Sequence, residues 1–247
     1  MLLGIAYFPP VSYFALMAKG FRLSADDVEP SVVYLEACEH YRKQSWRNRC
    51  RILAADGPVY LQFPVVHPAD GRPVRDVRVD YSVPWVVRTE RAITSAYESS
   101  GYFFHYRDEL FSILDSHPET LFDLDLQLIR FFLRKTGICA DLRLTDRFTP
   151  PSEDGMSPYG EDWRYRLHPK RPSTVLSDLQ LEKPYFQVFF FFPLWNRTCI
   201  CIIPEVPTEI TGSPGESREI FCHEKRFNHE RCFSPSRIAS DGAAFLQ

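Results

Sequence analysis

The chemistry this chain can offer is concentrated in thirteen residues, Glu39-His40-Tyr41-Arg42-Lys43-Gln44-Ser45-Trp46-Arg47-Asn48-Arg49-Cys50-Arg51. They hold five cations, an acid, an imidazole, two side-chain amides and two aromatics, with almost nothing aliphatic. In an extended strand alternate side chains share a face, so Arg47, Arg49 and Arg51 are expected to project together, opposite Trp46, Asn48, Cys50 and Ile52. Three guanidiniums on one face repel unless an anion sits among them, and each offers the planar fork that grips carboxylate or phosphate. The spacing therefore points to an anion-binding strand with Lys43, Arg47 and Arg49 as cations and Gln44 and Asn48 as neutral donors. The competing reading is a solvated edge strand, where charge guards against aggregation.

An imidazole is suited to proton transfer near neutrality, so His40, with Glu39 adjoining it, is the candidate for general acid–base work. The plainer role for His40 is a structural imidazole bonded to a backbone carbonyl. Ser45 and Cys50 are candidate nucleophiles, but no Gly-x-Ser-x-Gly elbow or Cys–His signature accompanies them. A buried, inert Cys50 is the commoner outcome. Trp46 or Tyr41 can stack on a base or sugar ring, or fill core. Glu36, Glu39 and His40 are a conceivable metal cluster, but the Val32–Leu35 run argues for strand, which points neighbours apart. Cys199, Cys201, Cys222, His223, His229 and Cys232 lack the paired spacing of a zinc site. No metal and no particular cofactor is expected. Neither a P-loop nor a Gly-x-Gly-x-x-Gly fingerprint is present, which excludes P-loop hydrolysis and ordinary dinucleotide chemistry.

The elements that must position these residues follow from periodicity. Leu2–Phe8 reads as a buried strand closed by Pro9-Pro10, rather than as a signal peptide. Val11–Lys19 has helical spacing, with Gly20 as its stop. Ser31–Ala37 reads as a strand. Cys50–Ala54 and Val59–Val66, joined at Asp56-Gly57, form a hairpin, and Val74–Val79 is expected to be another strand. From Trp85 the period changes to that of helices: Ala92, Ile93, Ala96 and Tyr97, then Phe103–Leu114 after a break at Ser99–Gly101. Leu121–Arg134, ended by Gly137, is the clearest amphipathic helix. Pro150–Pro172 reads as a long loop or lid. The expected architecture is α+β, a mainly antiparallel or mixed sheet from the N-terminal third packed with a helical second half.

Several of these blocks together resemble the WbqC-like family. They are Ala6-Tyr7-Phe8-Pro9-Pro10, the Glu39–Cys50 run, Trp85 with Arg91-Ala92-Ile93 and Ser95-Ala96-Tyr97, and Phe122-Asp123-Leu124-Asp125-Leu126. The resemblance spans about residues 3–188 and implies a small bacterial protein often encoded among surface-polysaccharide (O-antigen) genes. It assigns no catalytic residue. Relatives tend to carry a His where this chain has Arg88, which puts a proton-transfer role there in doubt; Arg91 and Tyr97 remain as ligand candidates from the first long helix. The likeness stops at Phe189-Phe190-Phe191-Phe192. Four consecutive Phe imply a T-rich codon run, a place where a reading frame can slip. Residues 193–247 are accordingly expected to be an out-of-frame, poorly packed tail following a domain of residues 2–188, the alternative being a divergent native tail.

Composition bounds the function. A formal net charge of −3 argues against generic nucleic-acid binding. No apolar run of membrane-spanning length occurs. Cys38, Cys50 and Cys139 stand isolated, as reduced thiols of a cytoplasmic protein do. The oligomeric state is not legible. Two function classes follow. The first is an enzyme transferring onto a nucleotide-linked sugar, with Lys43, Arg47 and Arg49 lining one open pocket and His40, Gln44, Arg91 and Tyr97 in reach. The second is a non-catalytic protein of the same pathway that binds an anionic ligand or a partner.

Overall fold

The computed structural model describes residues 1–19, 22–23, 28–54, 57–167 and 174–178. The expectations for residues 193–247, for Gly20 and for Asp56 lie outside them, as does the boundary near 188. In chain order the elements are β1 (Leu2–Gly4), α1 (Val11–Lys19), β2 (Arg22–Leu23), β3 (Val28–Glu29), β4 (Ser31–Glu36), β5 (Arg49–Ala54), β6 (Gly57–Gln62), α2 (Trp85–Tyr97), α3 (Phe103–Asp115), α4 (Leu121–Thr136), β7 (Ala140–Leu144), β8 (Met156–Ser157), β9 (Gly160–Glu161) and α5 (Val175–Asp178). The class is α+β, as the sequence indicates, but the expected sheet is corrected.

The central sheet is parallel. Its order is β1-β4-β7, with Leu2 opposite Tyr34 and Gly4 opposite Glu36, and Ser31 opposite Ala140 and Leu35 opposite Leu144. Parallel neighbours need a crossover rather than a tight turn. The segment carrying α1 crosses from β1 to β4, and the hairpin and three helices lie between β4 and β7. Antiparallel pairing is confined to β2–β3, β5–β6 and β8–β9. Local pattern shows that Ser31–Glu36 is a strand but not which partner it takes. Here the partners lie far along the chain, and β7 follows the helices.

The segment 74–79 also departs from expectation. Val74–Asp76 is a single 3₁₀ turn, and beyond it only isolated bridges form, Val65 to Val79 and Arg78 to Thr120. The backbone donors are already engaged: Val74 N–H donates to Glu39 O at 2.8 Å, Arg75 to Ala37 at 3.3 Å and Val79 to Glu119 at 3.0 Å. This segment pins the loop after β4 instead of extending a sheet.

The helices form where period 3.6 places them. In α4, Leu121, Leu124, Leu128, Phe131 and Phe132 are all buried, each contributing about 1.5–3 kcal/mol by leaving water. Thr120 caps its start by accepting from Asp123 N–H at 3.1 Å, and Gly137 ends it at φ 71°. The stretch read as a lid is partly built structure. After β8 and β9, Trp163 N–H donates to Leu2 O at 2.9 Å and Asp162 bridges to Leu2, so residues 162–163 cover the outer edge of β1.

Candidate functional site

Because β1, β4 and β7 run the same way, their carboxyl ends lie on one edge. That edge carries Gly4 to Ala6 after β1, Glu36 to Glu39 after β4 and Thr145 after β7. A cleft of about 370 Å³, partly open to solvent, lies there, lined by Gly4, Tyr13, Trp46, Arg47, Trp163 and Arg164 among others.

Two buried arginines, Arg47 and Arg164, line it, and three buried carboxylates pair with their guanidiniums. Glu36, Glu39, Arg47, Asp162 and Arg164 all lie below a tenth exposed. The Arg164 side chain is fully covered: its Nη1 donates to Glu36 Oε2 at 2.5 Å, its Nε to Asp162 Oδ1 at 3.0 Å and its Nη2 to Thr149 O at 2.9 Å. The other oxygen of Glu36 accepts from Thr145 Oγ1 at 2.8 Å and from Cys38 N–H at 3.0 Å. Burial of charge on this scale persists only where each ion is paired and its remaining donors and acceptors are met.

The second guanidinium serves Glu39. Arg47 Nε donates to Glu39 Oε1 at 2.8 Å, and its Nη2 approaches the same oxygen. Burial pushes the Glu39 carboxyl above the usual carboxylate range, against the pull of Arg47, with Glu36 adding to the rise. Beneath, on α4, Asp125 is fully buried and neither oxygen has a hydrogen-bond partner among the described residues. Its carboxyl is held well above the usual range by that burial, with Arg47 opposing.

The expected sharing of one face by Arg47, Arg49 and Arg51 is corrected. β5 begins only at Arg49, after a turn in which Gln44 takes φ 56°, so Arg47 swings inward to Glu39. Arg49 and Arg51 stay on the outer face of the hairpin, where the Arg49 guanidinium lies 4.5 Å from the centre of the Tyr60 ring. Lys43, exposed, pairs with Asp70 at 2.7 Å. Gln44 is exposed at the turn, and the Asn48 amide donates to Phe63 O at 3.2 Å. His40 is exposed, with its ring parallel to that of Phe148.

Arg91 is exposed on α2, while half-buried Tyr97 lines a separate apolar cavity with Phe8, Ile52, Phe103 and Phe132. Of the residues read from the sequence, Glu39 and Arg47 are therefore brought together at the cleft; Arg91 and Tyr97 are not brought to it. The nucleophile candidates are otherwise engaged: Ser45 Oγ donates to Arg42 O at 2.7 Å, and burial pushes the Cys50 thiol well up.

The family model of the WbqC-like protein family matches residues 6–160. The chain belongs to the WbqC-like protein family. No curated protein and no solved structure matches it. The matched residues of this WbqC-like chain include Glu36, Glu39, Arg47, Asp125 and Thr145, and they stop two short of Asp162.

Asp162, Trp163 and Arg164 were not singled out from the sequence, nor were Asp125 and Thr145 as site residues; Glu36 entered only as a conceivable metal ligand. A signal for the first group existed: Asp162-Trp163-Arg164-Tyr165-Arg166 alternates charge and aromatic much as the Glu39–Arg51 run does. Among the described residues no three His, Cys, Asp or Glu side chains are grouped as metal ligands, and no helix is long and apolar enough to cross a membrane.

Proposed function

We propose that this WbqC-like protein is a transferase of surface-polysaccharide (O-antigen) assembly, acting in the cytoplasm on a nucleotide-linked sugar bound at the carboxyl edge of the parallel sheet. The observation that carries the reading is the buried Glu39–Arg47 pair beneath the cleft. A carboxyl raised by burial, next to a cation that favours its ionised form, is the arrangement by which a protein holds a general acid or base near working pH. Trp46 and Trp163 supply apolar faces for a sugar ring, and Arg47, a tenth of whose side chain reaches solvent, supplies donors. His40, exposed one residue along from Glu39, is the second proton-transfer group. Lys43, Gln44, Asn48 and Arg49 extend the polar surface outward, where the anionic part of a ligand is to be met.

One observation favours the other class. Each guanidinium is already neutralised within the protein, Arg47 by Glu39 and Arg164 by Glu36 and Asp162, which suits a protein that binds a ligand or partner without turning it over. Titration of nucleotide sugars by thermal shift, followed by turnover assays with acyl and aminoacyl donors, separates the two. Glu39→Gln is expected to keep binding and to lose about 10²-fold or more in turnover. Binding by the unmodified protein without turnover across the donor panel would reject the transferase. Absence of binding to any nucleotide sugar would reject both classes.

A further inference from the structure

His40 and Phe148 stand at equivalent places. His40 lies four residues past the end of β4 and Phe148 four past the end of β7, two adjacent parallel strands. They stand side by side beyond the carboxyl ends of those strands. Both rings reach solvent: His40 is exposed and Phe148 is 46% exposed, a high figure for so apolar a side chain.

Their backbones are nevertheless fixed. On either side of His40, Glu39 O accepts from Val74 N–H at 2.8 Å and Tyr41 N–H donates to Arg72 O at 2.9 Å. Phe148 sits between Thr145, bonded to Glu36, and Thr149, whose carbonyl accepts from Arg164. The two planes are parallel within 7° and their centroids are 6.5 Å apart. A flat ring lying between two aromatic faces at van der Waals contact needs about 7 Å between them, a spacing that these two exposed side chains reach by rotating about their χ angles until their faces oppose.

One cation adjoins Phe148, and a second is linked to it through Tyr165. The Arg164 guanidinium lies 5.6 Å from the Phe148 centroid and 5.6 Å from that of Tyr165, and exposed Arg42 lies 5.8 Å from Tyr165.

We propose that His40 and Phe148 form a clamp for the planar base of a nucleotide, with Arg42 beside it to meet the phosphates. The inference rests on the reading that the ligand is nucleotide-linked and names the part of this protein that grips the base. The sugar is then directed toward the cleft over Glu39 and Arg47. His40 contributes a ring face here, which leaves its nitrogens free to exchange protons.

Calorimetric titration of the full chain with uridine diphosphate, thymidine diphosphate and inorganic pyrophosphate tests this in wild type, Phe148→Ala, Phe148→Trp and Arg42→Glu. Phe148→Ala is expected to weaken both nucleoside diphosphates about ten-fold or more, the loss that follows removal of a stacking ring. Phe148→Trp restores them, and pyrophosphate binds either variant within two-fold of wild type. Arg42→Glu weakens all three probes. Equal nucleoside diphosphate affinity in wild type and Phe148→Ala overturns the clamp and leaves the nucleotide-linked substrate standing. Wild type that binds pyrophosphate but neither nucleoside diphosphate overturns the clamp and the nucleotide together. No binding of any probe overturns the anion site as well.

Discussion

Arg164→Met offers the sharpest test of the buried cluster. The substitution keeps most of the side-chain volume but removes a fully covered guanidinium that bonds Glu36, Asp162 and the Thr149 carbonyl. Three buried carboxylates are then left with Arg47 as the one cation of the cluster. Removing one partner of a buried ion pair costs about 3–5 kcal/mol, because the other charge stays in low dielectric uncompensated. For a domain of this size each kcal/mol lowers the melting temperature by about 2–4 °C, so the expected drop is roughly 6–20 °C.

The pH dependence carries a second, independent sign. Without Arg164, Glu36 and Asp162 are buried carboxylates that lack their cation, a cost incurred only where a carboxylate is ionised. The deficit relative to wild type is therefore expected to be largest at pH 8 and to shrink toward pH 5. Calorimetry at both pH values measures this. A drop under about 3 °C, or one equal at the two pH values, would refute the assignment of the cluster as a charge-compensated core.

Asp125→Asn is expected to change the slope of stability against pH. Between the ordinary carboxylate value and its raised folded value, Asp125 keeps a proton that the unfolded chain has released. Its contribution to stability thus falls as pH rises, by about 1.4 kcal/mol per unit. The variant, which does not titrate, should flatten that fall in denaturant melts taken from pH 4 upward, and parallel curves would contradict the buried, neutral acid. Gly137→Ala should cost about 1 kcal/mol, since φ is 71° and no neighbour lies within 4 Å of the added carbon; urea titration would show an unchanged midpoint if the left-handed stop were not required.

Which parts of this protein were legible follows from the range of the forces involved. α1 was readable to its last residue through helical spacing, and α4 nearly so through helical spacing and the Gly137 stop, because these are local signals. The hairpin β5–β6 was readable for the same reason. β7 was not, and its absence from the reading made the sheet look antiparallel: Ala140–Leu144 is a partly exposed edge strand whose only declaration is its pairing with β4. Val74–Val79 has strand composition, yet its donors go to the loop after β4, a choice made by tertiary contacts. The site divided likewise. Glu39 and Arg47 stood out through crowding of polar types, while the inward turn of Arg47 depends on the φ of Gln44. Arg164 acquires its role in the cluster through Glu36, 128 residues away along the chain.

That separation has a consequence for how the chain is made. Glu36 and Arg164 lie 128 residues apart, and at about 5–20 residues per second their synthesis is separated by roughly 6–26 s. During that interval the emerging chain holds β4 and its carboxylate, but neither the strand nor the guanidinium that complete that edge. The N-terminal third therefore cannot mature as it leaves the ribosome; it must wait for a cation encoded after all three long helices. A chain halted at residue 160, where the family match ends, would contain Glu36, Glu39 and Arg47 and still lack the group that closes them in. Such a fragment is expected to be readily digested by protease, whereas one extended through Leu167 gains the last lock.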